Sequence, residues 1–282
     1  FSAIRLEFDA ESRDWLRYQT TMCDDRFRFV TLRVAGVGFA GSVGAFARFP
    51  PVAPPTLADL ERKVAPGEFA GRSALIIGGS RGLGACAAML LAAGGAEVTL
   101  TYLKGAADAE ALRAAIARAK GADACRVVRY DAATEPAEQL AEGCWTHAYY
   151  FATNRIAEAG DATFDIARFQ RFFEIHVAGF ARLARLLVAR SGGAPLSLFY
   201  PSSAFVDARP RGMTEYAMAK AAGEILCADL TRVHRNLRIA CPRLPRLLTD
   251  QTATVPPVPV GNPVETLLPL LRSEMERTLA QA

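Results

Sequence analysis

The sequence predicts an α/β fold, a doubly wound parallel sheet with a small N-terminal β appendage. Three observations carry that reading. From residue 71 onward, short apolar runs alternate with helical stretches, the pattern of parallel β-α units. Ala74–Ile77 is apolar and uncharged, as a strand covered on both faces requires. Gly78, Gly82 and Gly84 follow in Gly-x-x-x-Gly-x-Gly spacing and open onto Ala85–Ala93, a run of small and apolar helix formers.

The chain begins with a piece foreign to such a sheet. Phe27–Ala35 and Ser42–Phe49 read as strands across a glycine-rich turn, and Pro50–Pro55 as a stiff linker. Thr56–Val64 reads as a short capped helix. The expected boundaries are residues 1–55 for a β-strand segment with its proline-rich linker and 56–282 for the main domain. After the first strand and helix, the main domain continues with strand Glu97–Tyr102, helix Ala107–Lys120 and strand Cys125–Tyr130. Then come helix Glu135–Glu142, strand Thr146–Ala152, helix Phe164–Ala189 and strand Pro195–Tyr200. Helix Thr214–Val233, strand Leu237–Cys241 and helix Val264–Leu279 complete it, without a seventh strand.

Composition narrows the class. Half of the 282 residues are hydrophobic, which fits one large domain or a domain with an appendage. A net charge of +4 without a dense basic block argues against a nucleic-acid partner. The six cysteines form no Cys-x-x-Cys pair and mostly lie in apolar stretches, which reads as reduced core thiols in a cytoplasmic protein. Three histidines without ligand spacing argue against a metal site. The longest apolar helix is too short to span a bilayer, so no membrane role is expected. Because the first residue is Phe, the sequence reads as a cut piece or the ordered part of a longer chain.

A strand turning through glycines into a helix directs free N–H groups and the positive helix end at one spot, which suits a pyrophosphate. Tyr216 and Lys220 stand four apart in a helical stretch, about one turn apart on one face. An ammonium beside a phenol lowers the phenol's pKa and fits it to exchange a proton near neutral pH. Ser203 lies thirteen residues before Tyr216, just past a strand, where its hydroxyl can reach the same substrate oxygen. A lone Tyr-x-x-x-Lys is also an ordinary surface pair on a helix. Ser203 and the glycine loop at these separations favour chemistry.

The Gly78–Gly84 loop with Ser203, Tyr216 and Lys220 resembles the short-chain dehydrogenase/reductase family over about residues 68–280. The family's loop reads Thr-Gly-x-x-x-Gly-x-Gly, and Ile77 stands in place of the Thr. The resemblance implies a Rossmann-like domain with Tyr216 as general acid–base. It implies that Lys220 lowers the tyrosine's pKa and holds the nicotinamide ribose, and that Ser203 orients the substrate carbonyl. Gly78, Ser80, Arg81, Gly82, Leu83 and Gly84 would form the cofactor loop, and Asp131 would contact adenine. Two long helices, Phe164–Ala189 and Thr214–Val233, would build a homodimer interface, or simply pack on the sheet.

Departures from the family pattern sharpen the expectations. His176 in Ile175-His176-Val177-Ala178-Gly179 replaces the usual Asn, and reads either as part of a proton relay or as a packed helix residue. Tyr150-Phe151-Ala152-Thr153 keeps only Ala152 of the Asn-Asn-Ala-Gly that covers the adenosine. Leu244-Pro245 replaces Pro-Gly, while Thr249 keeps the position expected to meet the carboxamide. At the end of the second strand Tyr102 stands where an NAD enzyme has an acid, and Arg81 and Lys104 are placed to pair with a 2′-phosphate. The cofactor expected is NADP(H).

The expected function is NADPH-dependent reduction of a carbonyl to an alcohol, on a small molecule or an acyl thioester of the 3-oxoacyl type. The latter rests on the first strands, which resemble the tail of a hot-dog-fold hydratase of the kind fused to or associated with reductases. Two alternatives stand beside it. One is a catalytically weak NADP-binding sensor or scaffold. The other is the reductase half of a bifunctional hydratase–reductase.

Overall fold

A computed structural model describes residues 3–8, 15–47, 52–156, 164–253 and 258–279. The predicted strand end and linker start at 48–51 lie outside the described residues. The chain divides into two units, residues 1–52 with 250–259, and residues 53–249 with 260–282.

The smaller unit contains four antiparallel strands, not two. They are β1 (Ala3–Phe8), β2 (Leu16–Asp24), β3 (Phe29–Gly36) and β4 (Phe39–Phe46), in the order β1-β4-β3-β2. Val37 and Gly38, both at positive φ, make the two-residue hairpin between β3 and β4. Register puts Ile4, Leu6 and Phe8 beside Val43, Gly41 and Phe39 on one face. Arg5 and Glu7 fall on the other face.

The larger unit holds a six-stranded, wholly parallel sheet. Its strands are β5 (Ser73–Ile77), β6 (Glu97–Tyr102), β7 (Cys125–Arg129), β8 (His147–Tyr150), β9 (Leu196–Phe199) and β11 (Leu237–Ala240). The spatial order β11-β9-β8-β5-β6-β7 reverses direction between β5 and β8. That switch point is where doubly wound sheets open a crevice for a ligand. A two-residue strand pair, β10 (Ser202–Ser203) with β12 (Arg243–Leu244), lies beyond the carboxyl ends of β9 and β11.

Alternation along β5 builds both halves of the core. Ala74 and Ile76 face a layer with helix α2 (Gly82–Ala93) and helix α9 (Pro263–Leu279). Leu75 and Ile77 face the opposite layer, with helix α6 (Phe180–Ser191) and helix α8 (Thr214–Val233). Helix α2 is buried from Gly84 to Ala93. Its alanines and Gly84 let it lie tight against the sheet, for a Cβ at Gly84 would fall 2.2 Å from the Gly78 carbonyl oxygen. Helix α1 (Leu57–Leu60) is shorter than the expected 56–64 and is capped by Thr56, whose hydroxyl accepts from Asp59 N. Helix α3 (Ala106–Lys120) follows β6 as expected, while the stretch after β7 yields only one turn, α4 (Pro136–Gln139).

The helix expected over 164–189 does not run straight. It divides into α5 (Ile166–Phe173), a π-helical turn at Glu174–Gly179, and α6. Tyr150 Oη on β8 donates to the Ile175 carbonyl inside that turn at 2.7 Å. Such inserted turns re-aim the side chains they carry, and this one carries His176. Among the described residues, no helix is long and apolar enough to cross a membrane, and no His/Cys/Asp/Glu cluster could hold a metal ion.

Candidate active site

The glycine loop is fixed before any ligand arrives. Gly78 sits at φ +76°, and a Cβ there would lie 2.9 Å from Ala152 N, so only glycine lets the loop pass the end of β8. Gly78 N donates to Thr101 Oγ1 at 3.0 Å, and Gly79 N to the Thr101 carbonyl at 2.9 Å. Thr101, fully buried on β6, thus anchors the turn. In sequence it is one of two threonines in Glu97–Tyr102 and carries no distinguishing signal. Arg81 occupies the N-cap of α2 with no side-chain cap, so the first-turn N–H groups at Gly82–Gly84 are presented outward. Gly82 at φ +58° opens this N-terminus, and the atom nearest a Cβ built on it is Thr249 Cγ2, at 3.6 Å. Thr249 therefore borders the glycine loop.

Ser203, Tyr216 and Lys220 converge at the same end of the sheet. Ser203 ends β10 and is buried; its Oγ accepts from Phe205 N at 3.2 Å. Tyr216 lies two residues into α8, 8 % exposed, with its ring edge-to-face against Phe172 and His176 at centroid distances of 5.5 and 5.6 Å. Lys220 is one turn on, 4 % exposed, and its Nζ donates to the Pro201 carbonyl at 2.6 Å. The same Nζ lies 4.8 Å from the Tyr200 ring centroid and 5.9 Å from that of Tyr216.

Burial dominates the protonation of both groups. Burial pushes the Tyr216 phenol up to about 12, with the Ser203 hydrogen bond pulling the other way. Burial brings Lys220 down to about 7. The reason is geometric: the ammonium is turned to Pro201 O, inside a pocket of aromatic rings, and both charged forms lack water.

Lys220 therefore stands at a cost to the fold. Between about pH 7 and its ordinary 10.5, the unfolded chain binds a proton at this site that the folded chain does not, so stability rises with pH across that window. Lys220→Met should be more stable than the parent near pH 7, by about 1–4 kcal/mol. The difference should shrink toward pH 10, as thermal melts of both proteins across that range will read. A gap independent of pH would mean that Lys220 carries no desolvation penalty.

His176 is wholly buried. Thr153 Oγ1 gives its proton to the Asn154 carbonyl at 3.0 Å, so it accepts from His176 Nε2 at 3.3 Å. That assigns the proton to Nε2 and leaves Nδ1 a bare acceptor, without a hydrogen-bond partner among the described residues. Burial, then the positive charge of Lys220, hold the imidazole well below its usual pKa, hence neutral.

Other expected site residues fall around the crevice with mixed surroundings. Arg81 is exposed and pairs at 3.4 Å with Asp108, on the first turn of α3. Ser80 lies on the same side, near Gly105 and Asp108, since a Cβ built on Gly105 would lie 3.0 Å from Ser80 Oγ and 3.2 Å from Asp108 Oδ2. Lys104 is exposed and Tyr102 half-buried at the end of β6; Leu83 packs against the core from the first turn of α2. Asp131 follows β7 and accepts from Ala133 N at 2.9 Å, which shapes its own turn. Asp108, six residues past Tyr102 in sequence, is thus brought beside the glycine loop.

Two further groups brace these three residues. Glu224, one turn after Lys220, accepts from Ser202 Oγ and takes both Nε and Nη2 of Arg243 at 2.8 and 2.6 Å. This ties β10, and so Ser203, to α8 and β12. Glu215, buried beside Tyr216, accepts from Asp165 N at 2.7 Å and faces Arg168 at 3.5 Å, fastening α5 to α8.

No family model and no curated protein matches the sequence. Solved structures do. A short-chain dehydrogenase from Sphingobium yanoikuyae in complex with NADPH is 19 % identical with a TM-score of 0.64, over 73 % of this chain and 85 % of that one. A short-chain dehydrogenase from Burkholderia cenocepacia in complex with NADP is 24 % identical with a TM-score of 0.62, over 73 % and 91 %. L-Sorbose reductase from Gluconobacter frateurii, complexed with NADPH and L-sorbose, is 20 % identical with a TM-score of 0.55, over 64 % and 71 %. Strand order, glycine turn and these likenesses agree: the larger unit of this chain has the short-chain dehydrogenase/reductase fold.

Proposed function

We propose that this chain is an NADP(H)-dependent oxidoreductase that reduces a carbonyl to an alcohol, a 3-oxoacyl thioester being the substrate class we assign. The observation that carries the reading is the convergence of Ser203, Tyr216 and Lys220 beside an uncapped helix N-terminus at the sheet's switch point. The N–H groups of Gly82–Gly84 suit a pyrophosphate, Arg81 and Lys104 its 2′-phosphate, and Thr249 the carboxamide end. Solved structures of this fold, described above with NADPH or NADP, support the same cofactor. When bound, the nicotinamide supplies the hydride.

The chain's own residues manage the proton. Tyr216, held protonated by its raised pKa, donates from Oη to the carbonyl oxygen as that oxygen gains charge. Ser203 Oγ stabilises the same oxygen by a second hydrogen bond. A homodimer through α5 and α8 is our reading of their exposed Ile166, Phe173, Met218 and Ile225.

Screening NADPH oxidation against 3-oxoacyl thioesters, ketones and quinones tests the function. For the cofactor, fluorescence titration should find NADPH bound more tightly than NADH. Arg81→Ala should weaken NADPH about tenfold and NADH little, the worth of one exposed charge-assisted contact. Equal affinities, or tighter NADH, would sink the assignment and give Asp108 the ribose instead.

A further inference from the structure

Two cysteines stand outside the chemistry described so far. Cys227 lies on α8 seven residues after Lys220, and Cys241 directly after β11. Cys227 is buried in the core layer beneath α8, and Cys241 packs against that same layer. Both also line one groove of about 390 Å³, together with Glu224, Thr231, Ile239 and Arg243. Cys241 is half-buried there, whereas Cys227 is 3 % exposed. The two thiols perturb each other, and Cys227 holds the more exposed Cys241 thiol below its usual pKa while its own is raised. Burial and the charge of Glu224 oppose this, and the positive charges of Lys220 and Arg243 act with it.

The other cysteines lack this arrangement. Burial pushes Cys86 and Cys125 up to about 12. Cys23 is exposed but hydrogen-bonds to Asp25, which keeps its thiol protonated. Cys144 is exposed, away from the groove.

We propose that Cys241 and Cys227 form an oxidisable dithiol, a modification site that reacts with low-molecular-weight disulfides such as oxidised glutathione and closes to an intrachain bond. Cys241 is the accessible nucleophile. Its thiolate attacks one sulfur of the disulfide, breaks that S–S bond and releases one glutathione thiolate, which takes up the proton Cys241 lost. Cys227, on losing its own proton, attacks the Cys241 sulfur, forms the Cys227–Cys241 bond and expels the second glutathione. Two protein thiols are oxidised and one disulfide is reduced to two thiols. The product staples α8, which carries Tyr216 and Lys220, to the connection leading into Arg243, the residue bound to Glu224. None of this uses the crevice, so the site stands or falls apart from the proposed reductase activity.

The test reads mass on the full chain. The protein is incubated with oxidised glutathione, alkylated with N-ethylmaleimide under denaturing conditions and digested with trypsin. The peptides 221–232 and 239–243 should appear joined, lighter than their sum by two hydrogens, and separate after dithiothreitol. In Cys227→Ser, Cys241 should keep one glutathionyl group; in Cys241→Ser, Cys227 should be recovered alkylated. The proposal is overturned if the parent yields both peptides alkylated when Cys144 is fully modified. It is equally overturned if the parent keeps a stable glutathionyl group on Cys241 without the cross-link.

Discussion

Tyr216→Phe is expected to lower turnover by about 10²–10⁴-fold, with NADPH affinity changed by less than about threefold. The substitution removes one oxygen from a ring that is otherwise held by its faces and edges, against Phe172, His176 and Phe205. Those contacts survive in phenylalanine, so the fold and the cofactor crevice keep their shape. What disappears is the buried O–H hydrogen-bonded with Ser203, the group placed to follow the developing alkoxide. Turnover on the best substrate of the screen, cofactor titration and circular dichroism separate the effects. Near-normal turnover in a folded variant would assign the proton to another group and undo the role given to this tyrosine.

Much of this site is written in local spacing. Gly78, Gly82 and Gly84 mark a strand-to-helix turn because no side chain fits where the loop meets Ala152 and α2 meets Gly78. Tyr216 and Lys220 share a face because a helix repeats about every turn, and the span Thr214–Val233 is found as expected. Features set by distant partners were not legible. The π turn at Glu174–Gly179 has no composition of its own; within an amphipathic stretch, it lies where Tyr150 Oη bonds the Ile175 carbonyl. Arg81 reads as a free cation until folding brings Asp108 beside it, from the far side of β6. Lys220 reads as a partner of Tyr216 alone until folding brings Pro201 O, nineteen residues away in sequence, onto its Nζ. In the smaller unit, β1 and β2 mix charges and hydroxyls with apolar residues, and only pairing with β4 and β3 reveals them as strands.

His176 separates those two kinds of information, since its identity is visible in sequence and its tautomer only in the fold. With Nε2–H spent on Thr153, Nδ1 is a buried acceptor near a lysine whose positive charge depresses the imidazole further. A neutral acceptor at that position can take a hydrogen bond from a water that also meets Lys220, and so return protons to Tyr216 after each turnover. We place His176 as a positioning and relay residue on that ground. His176→Asn supplies both a donor and an acceptor in a smaller amide and should keep substantial activity. His176→Leu fills the space without either function and should slow turnover about ten- to a hundredfold, at or below the range of a directly placed acid–base group. The pH profile distinguishes relay from packing: the leucine variant should lose rate most steeply at high pH, where protons are scarce, and the asparagine variant should follow the parent. Circular dichroism and NADPH titration confirm that each variant is folded and binds. A leucine variant that turns over like the parent across pH would reduce His176 to an aromatic-stacking residue between Phe172 and Tyr216.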